Sequence, residues 1–595
     1  MNRPGQYVVA AVLGIAVPLA CLDACSSDRG EITNGPVTFP PDASLPDAPD
    51  CRLQCSLDGR TVIEACTGTV VETCPDHLAC GGAKCIEPCA AAAEDRSSNG
   101  CDFYLQSPQF MKRLPPSCYA AFVVNTSNQP VELSLELQGQ AVDVSNAIFR
   151  TQPGSAELEQ HTGAIPAGES VVVFLSNASP DMPRTLEWQL SQEDCPAGVV
   201  PATFDRALTG GTGIGSSFHL KSNAPVSLST IYPFGGAASY VPTATLVFPV
   251  ASWTKEHILV NGWEASETGS PAVQIVASED ATEITIVPTR DIQDGVGVKG
   301  GRAGRPVKYT LDKGQFLRIV QDEELTGSII TSTKPTTTIG ANSCAYVPSA
   351  IGTCDVLAQQ IPGFEQWGSE YVGVAYRPRL GNEHEPVPYR IVAARDGTML
   401  DYDPEIPPGA PTTLNAGESA TFVQGTGDAF VVRTQSSDHP IYVAAHMTGS
   451  SGDVFGQKSF AGIGDPEFVN VVPAHQYMNA YSFYADPTYG ETSLVVVRAK
   501  LRDKFEDVWL ECAGNLTGWK PIGTRGDYEY VRVDLAKGGR EGEKFGESTC
   551  KNGLQRMKSV GPFTATLWGW DNAASYAYPG GMAQRKLVEV PLTID

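Results

Sequence analysis

Sixteen cysteines carry the most explicit chemistry in this chain, and their uneven spacing divides the work among them. Seven of them, Cys51, Cys55, Cys66, Cys74, Cys80, Cys85 and Cys89, crowd into one short stretch. The C-x3-C and C-x4-C spacings there resemble zinc-ligand pairs, but in an exported chain they read as disulfide partners. So dense a cluster cannot build an ordinary core, and each crosslink is worth about 2–4 kcal/mol to it. Seven is odd, so one partner is expected outside: Cys101 or Cys118, with Cys195 completing an even ten. Farther on, Cys344 and Cys354 form one isolated pair and Cys512 and Cys550 another, each able to close a local loop.

Catalytic patterns are sought next, and each lacks a required part. Gly295-Val-Gly-Val-Lys-Gly300 has the G-x-G-x-x-G form, but GRAGRP follows it and cannot open the helix on which a pyrophosphate would sit. It reads as a loop, as does Gly210–Gly215. His384-Glu385 is followed by Pro386 and no second histidine, no G-x-S-x-G occurs, and His439 and His446 lie too far apart for a ligand pair. Asp401, Asp403 and Glu405 offer oxygens but lack the glycine and distal glutamate of an EF-hand. No metal or cofactor is therefore expected. Trp253 and Trp263 flank one loop, and Trp367 and Tyr371 lie in the equivalent loop of the next unit. These four are the candidate ligand-binding residues, by stacking on sugar or anchoring a protein, the alternative being that they plug the ends of β cores.

These residues sit in a chain of 595 residues, long enough for several domains. Acids outnumber bases 67 to 42 for a formal net charge of −25, which excludes nucleic acid as the main partner. Residues 1–24 form a signal peptide: Arg3, an apolar run over Tyr7–Leu22, then a small-residue cleavage region. A lipobox-like site follows, with Leu22 and Ala24 at positions −3 and −1 of Cys25. Cys21 is the rival, but cutting there would strand one thiol, so Cys25 is the expected acylated residue; the alternative is secretion without lipid. Residues 25–50, polar and rich in Pro and Asp, read as a flexible tether, and 51–117 as the cysteine-rich module.

Beyond Cys118 short alternating runs prevail, as in VELSLEL over 131–137, TEITIV over 282–287 and YEYVRVDL over 528–535; period two marks half-buried strands. Three landmarks recur in order. An aliphatic residue stands three before a glycine at Ile165/Gly168, Leu311/Gly314, Leu414/Gly417 and Leu535/Gly538. Ser-x-x-Pro precedes a β run at Ser222/Pro225, Ser332/Pro335 and Ser437/Pro440, proline being expected at the first strand position. An apolar-Pro pair precedes an aromatic in Phe248-Pro249 to Trp253, Ile361-Pro362 to Trp367 and Val472-Pro473 to Tyr477. The fourth unit is read as lacking Ser-x-x-Pro and ending in TLWGWDNAASYAYPGG. The expected fold is all-β: tandem β-sandwich-like units over 118–245, 246–360, 361–475 and 476–595 behind the small disulfide-rich module, or alternatively one continuous propeller-like structure.

Aligned on these landmarks, the region from about Cys101 to His446 resembles the bacterial branch of the IgGFc-binding protein N-terminal domain family. The carrying residues are GCDFY at 100–104, AAFVVNTSNQPVELSL at 120–135, IPAGES at 165–170, SNAPVSLSTIYPFGG at 222–236, FPVASW at 248–253 and IPGFEQWGSEY at 361–371. The resemblance implies a surface-exposed β-rich binding or adhesion region; antibody binding is not carried over. The chain is thus expected to be an exported, cell-surface lipoprotein of the bacterial outer membrane that binds a surface protein or glycan without catalysis. The alternatives are an extracellular hydrolase using a carboxylate pair, or a structural spacer.

Overall fold

The computed structural model describes residues 53–592 apart from 57–58, 65–68, 112–115, 183–191, 240, 350–352 and 540. The signal peptide, Cys25, the tether, Cys51 and Cys66 lie outside the described residues. Cys55 is bonded to Cys80, Cys74 to Cys85, Cys89 to Cys101, Cys118 to Cys195, Cys344 to Cys354 and Cys512 to Cys550. In the proximal module these bonds hold a three-stranded sheet, a hairpin over Ala79–Ile86 and a helix over Pro88–Asp95. Glu87 caps that helix through its carboxylate and Pro88 opens it, where a missing N–H costs nothing. Cys89–Cys101 then ties the helix to the first strand of the next sheet, Gly100–Leu105.

The rest is all-β, and the alternating runs are strands. Thr282–Val287 buries Thr282, Ile284 and Ile286 and turns Glu283 and Thr285 toward solvent. Strands between Gly100 and Leu246 build a ten-stranded sheet, and those of Thr254–Ile361, joined by Gly213–Ser216, build an eight-stranded one. Two four-stranded sheets follow within Glu370–Asn470, then an eight-stranded sheet within Met478–Pro579. The landmark glycines 168, 314, 417 and 538 all have φ between +63° and +75°, the left-handed turn for which glycine is suited.

Each stretch has one long segment that exchanges partners partway along. Phe218–Tyr232 pairs with Leu133–Leu137 through Phe218–Ser222 and with Tyr119–Asn125 through Val226–Ile231. Ile329–Ala345 pairs first with Thr282–Val287 and then, from Thr336, with Pro271–Ala277. In the third stretch the segment is split into Phe430–Thr434 and Ile441–Met447, in different sheets. Gly553–Asp571 pairs with Ala480–Ala485 and then with Glu491–Arg498. The prolines of the Ser-x-x-Pro landmark, Pro225, Pro335 and Pro440, lie at these exchanges. Two of them are therefore inside a strand rather than at its start; no ladder hydrogen bond is demanded where one partner leaves and the next arrives. The fourth exchange contains Ser559-Val-Gly-Pro562, so the landmark expected to be absent from the last unit is present.

After each exchange segment comes a short inner strand: Thr243–Leu246, Asp355–Ile361, Glu467–Asn470 and Ala574–Pro579. These four pack against one another in a ring. Gln359 Nε2 donates to the carbonyls of Ala244 (2.7 Å) and Ala577 (2.9 Å), and Asn470 Nδ2 donates to that of Gln360 (2.9 Å). Successive sheets also share apolar seams: Tyr104 and Trp253 with Ala272 and Ile339, Leu357 with Tyr442 and Phe468, Tyr389 with Trp568, and Phe122 with Tyr484 to close the circle. The architecture joins both sequence expectations: sheets follow in series along the chain, while their inner strands share one axis.

Candidate binding site

The four aromatic candidates are inside the protein. Each apolar-Pro-aromatic landmark is a single 3-10 turn leaving an inner strand, and the turn aims its aromatic ring inward. Trp253 Nε1 donates to the carbonyl of Phe248 (3.1 Å) and Trp367 Nε1 to that of Pro362 (3.0 Å). Trp263 Nε1 donates to Ser349 Oγ, and the Arg390 guanidinium covers its ring at 5.1 Å. Tyr371 donates to the Ile441 carbonyl at 2.6 Å, and burial pushes its hydroxyl well above the ordinary range. The most exposed of the four, Trp253, has 8% of its surface accessible. Their faces meet neighbouring sheets and their donors are used, so a stacking or anchoring role for Trp253, Trp263, Trp367 and Tyr371 is withdrawn.

The other polar candidates are also committed. His446 is buried against the Gly262 carbonyl (3.0 Å), and burial, with Arg390 nearby, pulls it down to about 3. Asp401 binds Arg525 at 2.6 Å, and Asp403 accepts from Thr524 N (2.7 Å) and Oγ1 (2.8 Å), so this acidic run joins the third stretch to the fourth. Among the described residues, no three or more His, Cys, Asp or Glu are placed to share a metal ion.

Along the axis the inner strands bury carboxyl groups that the sequence pattern did not single out. Asp355 and Glu467 are fully buried and Asp465 nearly so. Burial, with Asp465 and Glu467 close by, pushes Asp355 well above the carboxylate range, and Glu467 is raised by burial likewise. Asp465 is pushed up to about 7 and Asp486 to about 6, again chiefly by burial. Asp355 Oδ2 accepts from Ser575 N at 3.2 Å, while its Oδ1 has no hydrogen-bond partner among the described residues. These groups are sealed from solvent and hold the sheets together; a ligand cannot reach them.

An open cleft lies elsewhere, where the fourth sheet meets a turn of the first. It has a volume of about 780 Å³. Four glycines in its wall, Gly154, Gly490, Gly539 and Gly542, leave backbone where side chains would otherwise fill the space. Asp571 stands at its side with Oδ2 accepting from Gly490 N (3.0 Å) and Oδ1 from Asn572 N (2.8 Å), which fixes the carboxylate. Lys551 meets Glu541 at 2.7 Å and holds that carboxyl below its usual range; Lys544 adds a second cation. Asn552 Nδ2 donates to the Tyr489 carbonyl (3.0 Å), and its buried Oδ1 has no partner among the described residues. The lining is therefore polar, of both charges, and pre-positioned by backbone contacts. Such a surface recognises a ligand by hydrogen bonds and ion pairs. Of the sequence landmarks, Leu535 and the Asp571 of the TLWGWD run line this cleft; its wall is drawn from turns far apart in the chain, which no local spacing reveals.

A disulfide-braced all-β scaffold with an open polar cleft defines the class of the molecule. Residues 243–569 match the family described as IgGFc binding protein, and the chain belongs to that family. The match begins and ends later than the resembling stretch from about Cys101 to His446. FPVASW and IPGFEQWGSEY fall inside it, whereas the segments over 100–236 precede it. A comparison with curated proteins returned no match.

Proposed function

We propose that the protein is an exported surface protein, held by a lipid at Cys25, that binds another protein by admitting a polar segment of it into the cleft bounded by Lys551, Glu541 and Asp571. The cleft itself carries this reading: it is open, backbone contacts position its Asp571 and Asn552, and its paired opposite charges match the mixed polarity of a peptide chain. Membership in a family named for protein binding supports a protein partner, and the disulfides suit an oxidising compartment outside the cell. A glycan fits less well, because Tyr489, the aromatic residue of the lining, is 2% exposed and offers no stacking face. The repeat boundaries near 245, 360 and 475 belong to the same proposal, each unit supplying one inner strand to the axis.

The test is a binding array of surface proteins and glycans probed with Phe39–Asp595, which forms a compact unit by itself. Capture by proteins is expected, with Lys551→Glu and Asp571→Ala each weakening it at least about tenfold, the loss of one charged contact. Capture by glycans alone, or protein capture indifferent to both substitutions, would overturn the assignment. Labelling with a palmitate analogue checks the anchor: Cys25→Ala should abolish incorporation, and unchanged labelling defeats it.

A further inference from the structure

The Gly-rich segment that fails as a dinucleotide motif has a definite structure and an unusual charge. Between Pro288 and Lys308 lie Arg290, Lys299, Arg302, Arg305 and Lys308 against Asp291 and Asp294, a local excess of cations in a chain of net charge −25. The segment is a fixed hairpin. Ile292 and Gly301 exchange both backbone hydrogen bonds, and Gly295 and Val298 do the same one level further out. Ile292 and Val298 are buried in the core of the second sheet and act as its roots. Asp294 accepts from Gly300 N (2.8 Å), Asp291 from Ala303 N (2.8 Å), and Tyr309 donates to the Lys299 carbonyl (2.9 Å).

At the tip stands Val296, 73% exposed, the most exposed large apolar side chain among the described residues. Its backbone N–H donates to the Thr212 carbonyl and it bridges Gly213, which sets Ile214, 44% exposed, on the adjoining strand. Behind the tip, Arg302 and Lys299 make ion pairs with Asp291 and Asp294, Lys308 pairs with Glu283, and Arg290 and Arg305 are exposed and make no ion pair among the described residues.

We infer that this hairpin is a contact surface for a lipid bilayer bearing anionic headgroups, with Val296 and Ile214 entering the interface and the flanking arginines and lysines meeting phosphate. An apolar tip with a cationic collar matches the order of a membrane surface, acyl region below and headgroups above. The hairpin is already ordered, so contact does not require folding it. Within a Debye length of about 8 Å the headgroups feel the cations of the hairpin, while the acidic remainder of the chain, farther off, is largely screened.

The test therefore uses Phe39–Asp595, which lacks Cys25, in sedimentation with vesicles of phosphatidylcholine alone or enriched in phosphatidylglycerol. Binding to the anionic vesicles only is expected. Arg290→Glu with Arg305→Glu should reduce it at least about tenfold, Val296→Ser should reduce it severalfold, and raising salt from about 0.05 to about 0.5 M should abolish it. All these side chains are exposed, and circular dichroism verifies that the variants fold. Equal binding to neutral vesicles, no binding to either, or unchanged binding by the charge-reversed variant would overturn the inference. So would capture by immobilised poly-glutamate but not by vesicles, which would assign the hairpin to acidic proteins. None of these outcomes depends on whether Cys25 is acylated.

Discussion

Glu385 and the axial carboxyls are buried within a few residues of one another in space, yet they are accommodated in opposite ways. Glu385 receives Arg379 Nε (2.7 Å), Arg379 N (2.6 Å) and the Tyr376 hydroxyl (2.9 Å). The same guanidinium donates to Thr448 O and Oγ1 and to Ile463 O, and lies 3.6 Å from the Phe460 ring centre. Every polar atom of the pair has a use. Two residues beyond Ile463, Asp465 meets Ser450 N at 3.3 Å and makes no ion pair among the described residues; Arg379 acts on it only from a distance, and burial holds a proton on it to about pH 7. The difference teaches that this core tolerates acids by either of two means, a dedicated cation or a retained proton, and that the means decides how each site responds to substitution and to pH.

Breaking the paired site should have the largest effect. Arg379→Met leaves the Glu385 carboxylate buried without its cation, and removing one member of such a pair costs about 3–5 kcal/mol. The unfolding midpoint in urea measures it. Adding Glu385→Gln should return much of the loss, because the uncompensated charge is gone; a double variant no better than the single would mean that packing against Phe460, not charge, holds the site.

The proton-keeping site breaks differently. The folded pKa of Asp465, about 7, lies above the ordinary 3.8 that the unfolded chain displays, so the folded state binds the proton more tightly. Its contribution to stability is complete below about pH 4 and is lost as pH rises to about 7, at most about 4 kcal/mol at 1.4 kcal/mol per unit. Asp465→Asn cannot lose a proton. The variant should match the wild type near pH 4, become the more stable of the two as pH rises, and hold a constant lead above about pH 7. Thermal melts across that range measure the gap, and a gap that widened toward acid would reverse the assignment.

Much of the framework behind this contrast was legible in the sequence. Period-two runs marked strands, the landmark glycines marked left-handed turns, and Phe248-Pro249, Ile361-Pro362 and Val472-Pro473 marked the turns that follow the first three inner strands. Those signals are local, set by backbone sterics within a few residues. Ser559/Pro562 lies inside an unbroken strand, as do Ser222/Pro225 and Ser332/Pro335, so its role shows in the change of pairing partners and not in the apolar pattern around it. The aromatic residues carried two readings, ligand contact or core plug, because a tryptophan beside a loop has the same local sequence whether it faces solvent or a neighbouring sheet. Arg379 with Glu385, the axial acids and the cleft depend on packing between stretches far apart in the chain, and spacing carries no trace of it.

The smallest effect sharpens what pairing requires. Arg377 joins the third stretch to the fourth through two carboxylates at once, Nε to Asp534 (2.7 Å) and Nη2 to Glu491 (2.5 Å), with Trp570 beneath it at 4.9 Å. Arg377→Lys preserves the charge and most of the stem. An ammonium is a point donor, however, and cannot span two acceptors that a planar fork reaches from different edges, so one contact is lost and the stacking weakens. The expected cost is about 1.5 kcal/mol, one charge-assisted hydrogen bond at a site that solvent partly screens. Arg302→Lys serves as the comparison: its guanidinium meets Asp291 on the surface with 84% of its side chain exposed, and the same exchange should leave the unfolding midpoint unchanged. If both exchanges cost nothing, charge alone holds the seam; if only Arg377→Lys is felt, the geometry of the fork is what joins these two stretches of the chain.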